Sequence, residues 1–183
     1  MATTAAKLGV LMLLLASANV AVSDECRPEA QSPTESAWVK GDRHNFDDAD
    51  AGFSVGFRSP HGMGTIFVYD AGISDWAAGI TDPRLTGQID EIKAGLQEMV
   101  RRGRYSDLNV AEAVVRQLFC REFLLLTLTA KQDGRPVQGT AAVAVMEGKV
   151  VKLRTSFYSD PPAGIEAETA ALLREALTSG ALE

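Results

Sequence analysis

Residues 118–159 read LFCREFLLLTLTAKQDGRPVQGTAAVAVMEGKVVKLRTSFYS, and this stretch decides the fold. It holds three runs rich in β-forming residues, which are separated by Asp133-Gly134 and Glu147-Gly148. An acidic residue followed by glycine suits the two-residue turn of a β-hairpin, because the turn needs positive φ angles. The stretch therefore predicts an antiparallel meander of three strands.

The last of these strands has two distinct faces. Its apolar face is predicted to point into the core and consists of Val151, Leu153, Thr155 and Phe157. Its other face carries Lys152, Arg154 and Ser156. We expect these three polar side chains to point outward.

A second β-hairpin is predicted upstream. The residues of 53–58 alternate between large apolar and small or polar side chains, and TIFVYDA follows at 65–71. The period of two is typical of a strand with one buried face, and the intervening SPHGMG supplies turn residues. Before this hairpin, 37–40 predicts a short strand and 41–51 an acidic loop. The periodicity of 107–117 fits either a strand or a short helix.

Two amphipathic helices are predicted outside the strands. Asp82 is a candidate N-cap with Pro83 at the first helical position, and Gly103 is suited to end this helix. Its apolar stripe recurs at steps of three and four: Leu85, Ile89, Ile92, Leu96, Met99 and Val100. The second helix, near the end of the chain, has a similar stripe: Ile165, Leu172, Leu173, Ala176 and Leu177.

The order of these elements is hairpin, helix, meander, helix, without β-α-β alternation. This order favours the α+β class: an antiparallel β-sheet, hairpin plus meander, covered by two amphipathic helices. About one domain is expected from the length of the chain, and we place it at residues 52–183.

The hairpin with GTIFVYDAG, the long helix, the meander ending in VVKLRTSF and the terminal helix resemble uncharacterised exported bacterial domains of the PsbP-like fold group. The resemblance covers about 52–177 and rests on patterns of strand residues. It implies a noncatalytic role, because the better-known members of that group are accessory or partner-binding proteins. It implies no functional residues.

The N-terminal sequence is typical of a secretory signal peptide. Lys7 precedes the apolar run Leu8–Leu15, and small residues follow. We predict cleavage after Ser23, with Ala18 as an alternative, so that residues 1–23 are removed and 24–51 form a polar leader and the acidic loop. The protein is then periplasmic or secreted, and the Ala-rich composition suits a bacterial host.

Charge limits the partners of the processed chain. After loss of Lys7, 17 basic residues remain against 24 acidic ones, a formal charge of −7. This disfavours nucleic acid and membrane surfaces, which attract clustered cations. The apolar run is also too short for stable membrane insertion. We expect an unknown protein or small ligand of the cell envelope as partner and no cofactor; the oligomeric state does not follow from the sequence.

The two cysteines of the chain, Cys26 and Cys120, both remain after processing. In an oxidising compartment such a pair favours a disulfide bond, which would close a loop of roughly 100 residues and contribute up to about 4–5 kcal/mol. The alternative is two unrelated thiols, with Cys120 buried.

The stretch GFSVG, Gly52 to Gly56, matches the G-x-S-x-G pattern of serine hydrolases. A nucleophile elbow needs a helix directly after the serine, whereas a strand is predicted to continue through Ser54. The only later histidine is His61, seven residues on with no carboxylate between them. We therefore predict that Ser54 is not a nucleophile and name no catalytic residue.

Histidine and aspartate residues in the acidic loop offer a metal-site alternative. The candidate ligands are His44, Asp48, Asp50 and His61, since His with carboxylate can hold zinc and oxygen-rich loops can hold calcium. The full calcium-loop pattern is absent, so a solvated acidic loop explains these residues as well.

Two functional hypotheses follow. The first is a noncatalytic accessory or binding protein, using a sheet face, the acidic loop or the aromatic residues Trp38, Phe46 and Trp76. The second is a small metal-dependent protein or enzyme with a site around His44, His61 and neighbouring aspartates. The sequence favours the first.

Overall fold

The computed structural model describes residues 37–161 and 163–183. The predicted signal peptide, the leader up to residue 36 and Cys26 lie outside these ranges. The described elements, in chain order, are β1 (Val39–Asn45), β2 (Phe53–Arg58), β3 (Gly62–Tyr69), α1 (Leu85–Arg101), β4 (Tyr105–Val110), β5 (Val114–Leu118), β6 (Arg121–Gln132), β7 (Arg135–Met146), β8 (Lys149–Phe157) and α2 (Ile165–Thr178).

The described strands form one antiparallel sheet with the order β1-β2-β3-β8-β7-β6-β4, in which β5 also pairs with β6. The predicted hairpin is β2–β3, and the predicted meander is β6–β7–β8. Pairing of β3 with β8, with Ile66 opposite Leu153, joins the two units into one sheet. The predicted α+β class with an antiparallel sheet is confirmed.

Both predicted turns of the meander have the expected backbone conformation. Asp133 and Gly134 have φ angles of 52° and 78°, and Glu147 and Gly148 have 52° and 74°. Two successive positive φ angles are typical of the type I′ turn, whose twist matches that of the flanking strands. The turn dipeptides therefore fix the register of the meander.

The central strand β7 is buried on both faces. Ala142 and Ala144 belong to an apolar cluster with Leu172 and Leu173 of α2. Val143 and its alternate neighbours belong to a second cluster with residues of α1. Side chains alternate across a strand, so the two helices pack on opposite faces of β7. This explains why β7 lacks the polar face of an ordinary antiparallel strand.

The first helix ends as the sequence predicts, but it begins at Leu85, two residues after the predicted Pro83. The Asp82 carboxylate accepts hydrogen bonds from the backbone N–H groups of Ala77 and Arg84, each at 2.9 Å. The Arg84 guanidinium, hydrogen-bonded to this carboxylate, holds the pKa of Asp82 well below its usual range. At the other end Gly103 has a φ of 68°, and its N–H donates to the Val100 carbonyl.

Threonine hydroxyls attach α2 to the sheet. Thr169 Oγ1 donates to the Ile165 carbonyl at 2.7 Å and lies 2.9 Å from Thr140 Oγ1. Thr140 Oγ1 in turn lies 2.8 Å from Thr155 Oγ1. All three threonine residues are buried. The contacts form one hydroxyl chain from α2 through β7 to β8.

The sequence prediction differs from the structure at the edges of the sheet. The predicted loop 41–51 is a strand as far as Asn45, and the ambiguous segment 107–117 contains β4 and β5. All residues of β1 are exposed, so no buried face imposes apolar alternation on the sequence. The sheet thus begins before residue 52.

No helix in the described ranges is long and apolar enough to cross a membrane.

Candidate functional site

Two cavities lie on the face of the sheet that carries α1. One, of about 510 Å³, is lined by Phe46, Asp48, Asp50, Ala51, Phe67, Tyr69, Ala71 and Lys152. The other, of about 300 Å³, is lined by Phe67, Glu91, Ile92, Gly95, Leu96, Met99, Leu128, Ala141, Lys152 and Arg154. The cavities share Phe67 and Lys152. Together they form what we call the groove.

The pairing of β3 with β8 places the central residues of the groove. Phe67 lies directly opposite Lys152, and Thr65 lies opposite Arg154. Opposite residues of an antiparallel pair project from the same face, and residues two apart on one strand do so as well. Lys152 and Arg154 therefore point to one side of β8, while Leu153 between them is buried on the other side.

Lys152 is a partly buried cation between two aromatic rings. Its Nζ lies 5.0 Å from the ring centroids of both Phe67 and Tyr69, within the range of a cation–π contact. Burial lowers the pKa of Lys152, and the nearby Arg154 cation adds to this effect, whereas the Glu91 carboxylate opposes it. Among the described residues Lys152 makes no ion pair.

Tyr69 joins the sheet to α1 at one side of the groove. Its hydroxyl donates a hydrogen bond to Gln88 Oε1 of the helix, and Gln88 is buried. Burial, and to a smaller extent the Glu91 carboxylate, raises the pKa of the Tyr69 phenol above its usual value. The phenol is therefore neutral at physiological pH and its ring is held in place.

The segment between β1 and β2 forms the outer rim of the groove. Asp48 caps a short 3₁₀ helix, Ala49–Ala51, by accepting a hydrogen bond from the Asp50 N–H at 3.0 Å. Gly52 follows with a φ of 63°, and a Cβ there would lie 2.0 Å from the Val68 carbonyl oxygen. Only glycine fits this approach. The rim is therefore fixed against β3, with the carboxylates of Asp48 and Asp50 beside the groove.

The predicted metal ligands are distributed over three places. His44 lies in β1, where its ring packs edge-on against Phe46 at a centroid distance of 5.0 Å. His61 lies in the β2–β3 turn, with Nδ1 3.2 Å from Ser159 Oγ. Within the described ranges, no three His, Cys, Asp or Glu side chains are grouped to hold a metal ion. The geometry therefore gives the metal alternative no support.

Ser54 lies within β2, and the strand continues to Arg58 as predicted. A nucleophile elbow is therefore not formed. The residue opposite Ser54 in β1 is His44, a pairing that the sequence did not indicate. No hydrogen bond joins these two side chains.

The remaining sequence predictions concern Cys120 and the aromatic residues. Cys120 lies in the exposed turn between β5 and β6, not buried, and its predicted bridge to Cys26 remains a prediction because Cys26 is outside the described residues. Trp38 and Trp76 are buried in the two apolar clusters. They do not form a partner-binding patch, whereas Phe46 lines the groove.

No protein-family model matches this chain. A search of curated proteins finds no match either. The functional conclusion therefore rests on the residues of the site itself.

The groove combines apolar walls with a few charged groups. Ile92, Leu96 and Met99 of α1 face the smaller cavity, whereas Lys152 and Arg154 supply cations at its margin. A concave site with apolar lining and a small number of polar groups is typical of small-molecule binding.

Proposed function

We propose that this protein is an exported, noncatalytic accessory or binding protein of the cell envelope that holds a small ligand in the groove. The observation that carries the proposal is that the two cavities share Phe67 and Lys152, so that apolar walls and a cation occur together at this place on the sheet. Export rests on the signal-peptide pattern at residues 1–23.

The proposal also includes how the helices cover the sheet. We place α2 and α1 as covers on opposite faces, with α1 packed mainly on the half that contains β4 and β7. On that face the larger cavity lies beside β3, and the smaller cavity lies between α1 and the sheet. The resemblance to the PsbP-like fold group is in keeping with an accessory role.

Gly95 allows the groove to be filled without disturbing the core. A Cβ added at Gly95 or at Gly87, both in α1, meets nothing within 4 Å, but only Gly95 lines the smaller cavity. We therefore expect Gly95→Phe to block ligand binding and Gly87→Phe to leave it intact. Both changes replace a helical glycine, which is the least favourable residue there apart from proline, so neither should lower helix stability.

Native mass spectrometry of the protein recovered from its export compartment tests this expectation. Wild type and Gly87→Phe should carry the same noncovalent small molecule, and Gly95→Phe should lack it. A companion retained equally by all three variants would place the binding site elsewhere. A wild-type protein that carries no companion and gains none from an envelope extract would contradict the proposed function.

A further inference from the structure

Lys152 and Arg154 are two neighbouring cations of the groove that lack a close carboxylate partner among the described residues. Within the part of the chain that the structure describes, neither contacts a carboxylate closely enough to form an ion pair. Other basic residues of the described ranges do so, among them Arg84, Lys93, Arg101, Arg102, Arg116 and Lys131. Placing a cation out of bulk water without a contacting counter-charge is unfavourable. An anion bound in the groove would offset this cost.

The smaller cavity provides the apolar part of the site. It lies beneath α1, where Ile92, Leu96 and Met99 face Leu128 and Ala141 of the sheet. Its volume of about 300 Å³ corresponds to roughly ten non-hydrogen atoms, if each occupies about as much space as a water molecule. The cavity therefore suits a short hydrocarbon chain or a single ring system.

Glu91 limits the charge that the site accepts. Among the described residues it is the only acidic one that lines the smaller cavity, beside Lys152 and Arg154, so the formal charge of these three groups is one positive unit. Asp48 and Asp50 lie farther out, at the rim of the larger cavity. A single negative charge is balanced at this position, whereas a second one would face Glu91 without a matching cation.

We propose that the groove binds a monocarboxylate with an apolar tail, its carboxylate held by Lys152 and Arg154 and its tail beneath α1. The inference rests on the proposed function and assigns a ligand class to the same site. A planar guanidinium and an ammonium group side by side suit a carboxylate, because both donate charge-assisted hydrogen bonds. Transfer of the apolar tail from water into the apolar cavity contributes favourable binding free energy.

Isothermal titration calorimetry with octanoate tests the ligand class, since octanoate has about the size that the cavity accepts. Wild type should bind octanoate but neither acetate, which lacks the tail, nor octylamine, which reverses the charge. Lys152→Met and Arg154→Met should each weaken octanoate binding at least roughly tenfold, because each removes a charged donor. Lys149→Met is the control on the same strand, since Lys149 is exposed and does not line the groove.

The variant Glu91→Gln tests the charge balance of the site directly. It removes the negative charge beside the two cations, so octanoate affinity should increase several-fold. A decrease would mean that Glu91 does not repel the bound carboxylate, and would overturn the charge balance on which the monocarboxylate assignment rests.

Other outcomes separate failure of the ligand class from failure of the proposed function. Octylamine binding as tightly as octanoate, or Lys152→Met leaving octanoate affinity unchanged, would overturn the ligand class. If wild type does not bind octanoate but Gly95→Phe still prevents binding of a natural companion, the ligand class is wrong and the proposed function stands. If neither octanoate nor any natural companion binds, both fail.

Discussion

At the scale of single residues, Lys152 is a cation whose charged form is disfavoured by burial. The groups near its ammonium are Tyr69 and Phe67 of β3, Glu91 of α1 and Arg154 of β8. Asp48 and Asp50 line the larger cavity together with it. The lowered pKa of Lys152 means that folding favours its neutral form.

This shift has a definite consequence for stability as pH changes. Between the lowered pKa in the folded protein and the ordinary value near 10.4, the unfolded chain binds more protons at this site than the folded one. The free energy of unfolding should therefore rise with pH in that interval through Lys152. We expect Lys152→Met to be more stable than wild type at neutral pH, with the difference shrinking as pH rises through the interval.

Chemical denaturation of wild type and Lys152→Met from pH 7 to pH 10.5 measures this difference. Titration of Tyr69 and other groups affects both proteins, so the difference between them isolates Lys152. Lys149→Met should show no such pH-dependent difference from wild type. A constant difference for Lys152→Met across the range would argue against the lowered pKa.

The sequence predicted which face of β8 Lys152 and Arg154 occupy, but it did not predict that they lie together with Phe67 in one site. Lys152 and Arg154 were predicted to point outward. They do point away from the apolar cluster beneath α2, but the face of β8 that carries them is itself half-buried. The missing information was the pairing of β3 with β8, which brings Phe67 opposite Lys152 across a long separation in sequence. Val150 was the one sign in the sequence that this face is partly covered, because it lies on the same face as Lys152 and Arg154 and is an apolar residue, which the structure shows to be fully buried.

At the scale of secondary-structure elements, α2 is attached to the sheet by hydroxyl groups as well as by leucine residues. Replacing Thr169 by valine keeps its shape but removes the donor to the Ile165 carbonyl and the partner of Thr140. Buried polar groups left without a partner are costly, so we expect Thr169→Val to reduce the free energy of unfolding by about 1–3 kcal/mol.

Urea denaturation of Thr169→Val and Thr169→Ser tests the role of the hydroxyl. Serine keeps the hydroxyl and loses a methyl group, so it should be the less damaging change if hydrogen bonding dominates. The double variant Thr140→Val with Thr169→Val should cost less than the sum of the single changes, because the two hydroxyls interact. If serine is as damaging as valine, packing rather than hydrogen bonding holds α2 here.

Elements with a buried face were predictable, and elements without one were not. The end of α1 followed from Gly103, its start at Leu85 lies two residues after the predicted Pro83, and the meander followed from its turn dipeptides. Strands β1, β4 and β5 lie at the edges, where most side chains are exposed and the apolar period is lost. Backbone pairing with a neighbouring strand forms these elements, and that pairing leaves little trace in their own side chains.

At the scale of the whole molecule, the ends of the described chain are brought together at β1. The Lys40 ammonium group donates to the Ser179 carbonyl at 2.9 Å, and the Arg43 guanidinium donates to the Glu183 carbonyl. The Trp38 indole N–H donates to the Glu168 carbonyl of α2 at 3.0 Å. The edge strand β1 is thus attached both to β2 and to the segment that follows the last helix.

The joining of hairpin and meander could not be derived from the sequence. Either unit is recognisable from local alternation and turn residues, but the contact between β3 and β8 depends on which edges meet after both have formed. The fold class was therefore predictable, whereas the strand order and the groove that this order creates were not.

Each face of the sheet contains one tryptophan, and these are the two tryptophans of the chain: Trp38 in the α2-side cluster and Trp76 in the α1-side cluster. The protein thus carries a separate optical probe for each of its layers. In Trp38→Phe the indole emission reports only the α1 layer, and in Trp76→Phe only the α2 layer. Strand β7 contributes side chains to both layers, so neither layer should lose its packing while the other persists.

Within each variant, the urea midpoint of tryptophan fluorescence should therefore coincide with that of far-ultraviolet circular dichroism. Separate midpoints would mean that one layer unfolds on its own. Coincident midpoints would identify the two layers as a single cooperative unit, in which a change in the groove affects the stability of the helix on the opposite side.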